Sequence, residues 1–208
     1  MSTIEEVASL IVNNCDWNAF AGFCLDISSD PGFKSKSDNM IISSMREKSF
    51  SAFTYIPLDR VDKIGRDYQL FAHGIEYKSQ KSVFRERKPS DKDGELLKKN
   101  IFQKGDTKAI KIRNYLGSNK TKTIEQFLEI SKEIKTCDYY LLHQSTFPKF
   151  KMALVHEEDV RSRFYAKGDG IYADIPKDCL YFLDLPPIVP ISINDFHFDE
   201  DLFANIKL

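Results

Sequence analysis

The stretch from Gly65 to Gln80, Gly-Arg-Asp-Tyr-Gln-Leu-Phe-Ala-His-Gly-Ile-Glu-Tyr-Lys-Ser-Gln, constrains this chain more than any other. It reads as two short strands closed by a two-residue loop at His73-Gly74, whose glycine can take the positive φ of a primed turn. Closing the hairpin there pairs Ala72 with Ile75, Phe71 with Glu76, Gln69 with Lys78 and Asp67 with Gln80. Paired residues share a face and alternate residues swap faces. One face then carries Tyr68, Leu70, Ala72, Ile75, Tyr77 and Ser79, which suits a core. The other carries Asp67, Gln69, Glu76, Lys78 and Gln80, with Phe71 out of character. Two carboxylates and an ammonium fall within roughly 5–8 Å of one another on that surface. A one-residue slip would send Asp67 to the opposite face from Glu76 and Lys78.

The remainder of the chain frames this ribbon. Its 208 residues suffice for one domain with a real core, and 42% hydrophobic with 29% charged residues excludes a disordered chain. No apolar run reaches the roughly 18 residues of a membrane span. The N-terminus has no basic, secretory-type start, and Cys15, Cys24, Cys137 and Cys179 form no Cys-x-x-Cys pair. Reduced thiols and a cytoplasmic location are the expectation. Residues 1–48 read as a helical region. Ser2-Thr3-Ile4-Glu5 looks like a capping box, a helix follows to about Asn14, and a second apolar face runs from Trp17 to Ile27. Met40–Lys48 reads as a third helix and Phe50–Ile56 as a strand.

Beyond the hairpin, Glu95–Gln103 reads as a short basic helix and Lys108–Tyr115 as a strand with one cationic face. Thr123–Gln126 is a capping box opening a helix to about Lys135, with Ile124, Phe127, Leu128 and Ile134 inward. Strands are expected at Asp138–Gln144, Phe150–Val155 and Cys179–Leu183, and a helix at Glu157–Tyr165. Residues 49–185 form the expected core, and the aromatic, acidic tail 186–208 could pack on it or meet a partner. The expected architecture is α/β, a mixed central β-sheet flanked by helices.

Net charge is −1, but its distribution is uneven. Residues 78–122 carry fourteen Lys/Arg against five acids, which is +9 and leaves −10 elsewhere. Such a segment attracts a polyanion. Lys81, Arg85, Arg87, Lys88, Lys108, Lys111, Arg113 and Lys120 supply cations for phosphates, and Asn114 and Asn119 supply base-edge donors. A solvated lysine-rich surface is the plainer alternative.

An acid followed by Glu-x-Lys on the next strand, here Asp67 and Glu76-Tyr77-Lys78, resembles the active-site signature of the PD-(D/E)xK nuclease superfamily, and within it small type II restriction endonucleases. Arg66 stands where that pattern has proline, while Pro57-Leu58-Asp59 leaves Asp59 and Asp62 as competitors for the first acid. Glu86-Arg87-Lys88 and Glu133-Ile134-Lys135 repeat the triplet, but before a proline and on a helix respectively. The resemblance implies a restriction-endonuclease-like fold and hydrolysis of phosphodiesters in double-stranded DNA. Asp67, Glu76 and the Tyr77 carbonyl would hold Mg²⁺, Lys78 would orient or help deprotonate the attacking water, and Gln69 and Gln80 would position water or phosphate. A homodimer would match a palindromic target. An extra carboxylate from the N-terminal helices is also known in such nucleases; Glu47 is the candidate, with simple exposure the expectation. A repair, nicking or homing nuclease of the same fold, or a DNA-binding protein without catalysis, fits the same residues.

Overall fold

In the computed structural model, which describes residues 3–32, 36–80, 83–85, 106–115 and 122–192, the Gly65–Gln80 ribbon is a hairpin within a mixed α/β fold. Strands β1 (Leu58–Lys63), β2 (Arg66–Leu70) and β3 (His73–Gln80) follow one another antiparallel. β3 pairs in parallel with β5 (Tyr139–Gln144). β5 pairs antiparallel with β6 (Lys151–His156), and β6 with the short β9 (Tyr181–Phe182). The order across the sheet is β1-β2-β3-β5-β6-β9. A parallel step needs a long crossover. This one contains β4 (Ile110–Asn114) and the helix α4 (Ile124–Glu133). β4 does not enter the central sheet; it pairs with β8 (Gly170–Ala173), and β8 with β7 (Tyr165–Lys167), as a second sheet of three strands.

Helices α1 (Ile4–Asn13), α2 (Trp17–Ser29) and α3 (Lys36–Ser49) precede the strands. The first capping box lies one residue later than the spacing suggests: the Thr3 side chain accepts from the Glu6 N–H, and Glu6 accepts from the Thr3 N–H. The box at Thr123 and Gln126 forms as expected. Two apolar clusters fill the two sides of the sheet. Tyr68, Leu70, Ile75, Tyr77, Leu141 and Met152 pack with Val7, Ile11, Phe20 and Cys24 of α1 and α2. Tyr140, Leu142, Ala153 and Val155 pack with Ile110, Ile112, Ile171 and Ala173 of the second sheet. The middle of β3 is therefore buried on both faces. Burying an aromatic or aliphatic side chain of this size contributes about 1.5–3 kcal/mol each.

Several expectations shift. The hairpin turns at Phe71-Ala72, and the pairs are Tyr68–Ile75, Gln69–Gly74 and Leu70–His73. Gly74 serves a different need: its N–H and C=O bond Asp138 at 2.8 and 2.7 Å, and a Cβ there would meet the Arg66 guanidinium at 2.5 Å. Phe71 takes the left-handed conformation instead, at φ 50°, with its ring 62% exposed. Such a φ is strained for a bulky residue. Phe71→Asn, which tolerates that region, should raise stability by about 1 kcal/mol in urea unfolding.

Phe50–Ile56 is not a strand. Phe50–Phe53 form a 3₁₀ turn, because Phe50 and Phe53 both pack on Phe20, Phe50 edge-on, rather than alternating across a sheet. The helix expected over Glu157–Tyr165 stops early, as α5 (Glu157–Arg161), and Tyr165 opens β7. α4 ends at Glu133, leaving Ile134 47% exposed. Only Tyr181 and Phe182 of Cys179–Leu183 are strand. The basic helix expected at Glu95–Gln103 lies outside the described residues.

The described part of the tail packs across α2. The Ile191 N–H donates to the Asn18 carbonyl at 3.1 Å, and the Ser192 hydroxyl to the Asp26 carboxylate at 3.0 Å. A Cβ on Gly22 would stand 1.6 Å from the Ile191 carbonyl oxygen, a backbone atom that cannot yield alone. Gly22→Ala should therefore lift residues 188–192 off the helix, at a cost of about 2 kcal/mol. Faster proteolysis of that segment would report it.

Candidate active site

The new register moves the hairpin pairing by an even number of residues, so the two faces keep their membership. Extended one step, it sets Asp67 directly opposite Glu76. Leu70 and His73 close the turn as a hydrogen-bonded pair, and every second residue of β3 then faces the β2 backbone. Tyr77 is such a residue. Its N–H donates to Asp67 Oδ2 at 2.8 Å, and strand geometry points its carbonyl the same way, beside Asp67.

Glu76 and Lys78 stand on the side of the sheet covered by the second sheet, not on an open surface. Glu76 is 5% exposed and the Lys78 side chain 17%. The Lys78 ammonium donates to Glu76 Oε1, while Glu76 Oε2 is buried with no hydrogen-bond partner among the described residues. Burial raises the Glu76 pKa, Lys78 pulls it down, and the Asp67 charge pushes it up again. Burial opposes the charge on Lys78, but Glu76, Glu47 and Asp67 more than offset this and lift it above the usual lysine range.

Glu47 is not simply exposed. β3 runs on past the start of β2, and the last turn of α3 packs along the vacated edge, where the Tyr68 hydroxyl bonds the Glu47 carbonyl. The Glu47 carboxylate accepts from the Ser79 N–H and feels Lys78, Asp67 and Glu76. Burial first, then the two neighbouring carboxylates, push its pKa up to about 7, against the pull of Lys78. Three acids and one ammonium thus share one electrostatic neighbourhood.

A cleft of about 1020 Å³ opens beside them, between α3, the end of β3, β4 and residues 145–147. Glu47, Lys78, Gln80, Lys111 and Asn114 line it. Other expected site residues are committed elsewhere. Gln69 accepts from Arg66 and donates to the Phe71 carbonyl, holding the turn rather than a substrate. Arg85 lies 3.6 Å from Asp174, and Arg113 donates to Ser131. Lys108 is exposed and not part of the cleft wall. Asp59 lies on β1, opposite Gln69 of β2, and the charges that reach Glu47, Glu76 and Lys78 include Asp67 but not Asp59. Lys81, Arg87, Lys88, Asn119 and Lys120 lie outside the described residues.

The donor set fits a hard divalent cation. Asp67 and Glu76 feel one another's charge, and Glu76 Oε2 has a buried lone pair without a partner among the described residues. Among the described residues, no three His, Cys, Asp or Glu are grouped as a metal centre by themselves. Waters and a backbone carbonyl would have to complete the shell. No described helix is long and apolar enough to cross a membrane. Comparison with protein-family models, curated proteins and solved structures returns no match to this chain.

Proposed function

We propose that this protein is a Mg²⁺-dependent endonuclease acting on double-stranded DNA, with type II restriction as its role and a homodimer as its working form on a palindromic site. The observation that carries the reading is the electrostatic meeting of Asp67, Glu76, Lys78 and Glu47 beside one cleft, which Glu47 and Lys78 line, with Lys78 the counter-charge of all three acids. The resemblance to PD-(D/E)xK nucleases rests on three of these, Asp67, Glu76 and Lys78.

Asp67, Glu76 and the Tyr77 carbonyl would hold the ion, with Glu47 adding negative charge at the rim. Bound there, Mg²⁺ supplies Lewis acidity at the scissile phosphate and a water of lowered pKa. Glu76 fixes the Lys78 ammonium, which offsets charge growing on the phosphate and orients the attacking water. Gln80, Lys111 and Asn114 along the cleft wall contact the neighbouring backbone.

The test is incubation of the protein with plasmid and genomic DNA, in Mg²⁺ or in EDTA, with the ends mapped. Discrete fragments in Mg²⁺ alone are expected. A smear or nicks would point to a repair or nicking nuclease, and uncut DNA would remove the reading. A second reading, DNA binding without hydrolysis, draws on the Lys78 contact to Glu76 Oε1, which occupies an oxygen a cation would use. On that reading Lys78→Ala changes stability and affinity in EDTA, and Mg²⁺ brings no cleavage in wild type or variant.

A further inference from the structure

Arg46 and Glu47 are consecutive on α3, so their side chains leave the helix about 100° apart. Glu47 turns to the acids; Arg46 turns to α2, where its guanidinium donates to the Ser28 hydroxyl and meets the Cys24 sulfur. Arg46 is 4% exposed, no carboxylate among the described residues pairs with it, and its Nε has no partner. A buried, unpaired guanidinium is costly unless an anion answers it. Two further donors are in the same position. Ser79 and Ser145 are each 5% exposed, and both hydroxyls lack a partner among the described residues. All three residues line the same cleft. Its ionisable lining is Arg46, Lys78, Lys111 and Glu47, and since Lys78 pairs with Glu76 and Lys111 with Asp169, Arg46 is the cation there without a carboxylate partner among the described residues.

We propose that this cleft holds an oxyanion site in which the Arg46, Ser79 and Ser145 side chains take a phosphate group, beside the carboxylate cluster that Ser79 meets through its backbone N–H. Guanidinium and hydroxyl donors suit the planar, multi-acceptor face of a phosphoester. That the ligand is a backbone phosphate next to the scissile one rests on the nuclease reading. The oxyanion site does not; a small phosphoester would satisfy the same donors.

The test runs in EDTA, so that no hydrolysis intervenes. Wild type, Arg46→Gln and Ser145→Val are melted with inorganic phosphate up to 50 mM, against sodium chloride at matched ionic strength. The general salting effect of phosphate acts on all three proteins. The wild-type Tm should rise about 3 °C further than that of either variant. Ser145→Val carries the test should Arg46→Gln not fold. In a second arm, Arg46→Gln should bind a 30-base-pair duplex about tenfold more weakly, with the log-log salt slope smaller by about one. A phosphate effect with unchanged duplex affinity assigns the site to a small phosphoester. Equal phosphate responses in all three proteins overturn the proposal. Intact plasmid in Mg²⁺ alongside a positive phosphate arm removes only the nuclease reading. Cut plasmid alongside equal responses removes only this site.

Discussion

Lys78→Met should lower DNA cleavage by about 10²–10³-fold while leaving duplex binding in EDTA within a few-fold of wild type. Methionine keeps most of the volume of the lysine stem, so the cleft wall stays filled. What disappears is a charge that Glu76, Glu47 and Asp67 hold in place. Stability should change as well. With Lys78 gone, Glu76 becomes a buried carboxylate with no described partner on either oxygen, a change that costs about 3 kcal/mol where the acid is ionised. Burial already raises the Glu76 pKa, so the loss should shrink as acid protonates it. Urea unfolding at pH 8 and pH 5 would show the difference. Lys78→Arg is not a rescue, because the wider fork does not fit where a point charge rests on one oxygen.

Glu47→Gln should act in opposite directions on stability and on activity. The Glu47 pKa is about 7 in the fold against an ordinary value of 4.5. Between those pH values the folded protein keeps a proton that the unfolded chain has released. Stability therefore falls as pH rises from about 4.5 to 7, and the loss stays in force above that. The magnitude is about 2 kcal/mol, allowing for partial solvent screening. In EDTA, Glu47→Gln should remove this slope and be more stable than wild type at pH 8, with little difference at pH 4. Cleavage in Mg²⁺ should nevertheless drop by about tenfold or more, because the variant weakens the negative pocket for the cation. Added Mg²⁺ should raise the wild-type Tm more at pH 8 than at pH 5, since neutralising the acids relieves what their charges cost. A simple surface glutamate would change neither profile.

The segregation of polar from apolar residues along the hairpin was legible because strand parity alone decides it. Turning at Phe71-Ala72 instead of His73-Gly74 altered every pair but no face. The turn itself was not legible. Gly74 looked like a turn residue, yet its lack of a side chain makes room for the Arg66 guanidinium, while its backbone bonds Asp138, which the parallel β3–β5 pairing brings near. The same holds for Glu47: its local sequence says solvated helix, and only the docking of α3 against the free edge of β3 turns it toward Lys78. The second sheet was hidden for another reason. β7 and β8 are three and four residues long, too short for an alternation to stand out, and the β4–β8 register shifts between Lys111 and Arg113. Arg46, Ser79 and Ser145 gave no signal at all, because an unmet hydrogen bond is a property of packing and not of residue type.

The most direct measurement is the rate at which supercoiled plasmid is cut by wild type and by Lys78→Met, purified through identical steps and assayed together in Mg²⁺. The proposed chemistry predicts cutting by wild type that EDTA stops, and a loss of about 10²–10³-fold in the variant. Equal cutting by both proteins, or none by either, would contradict it.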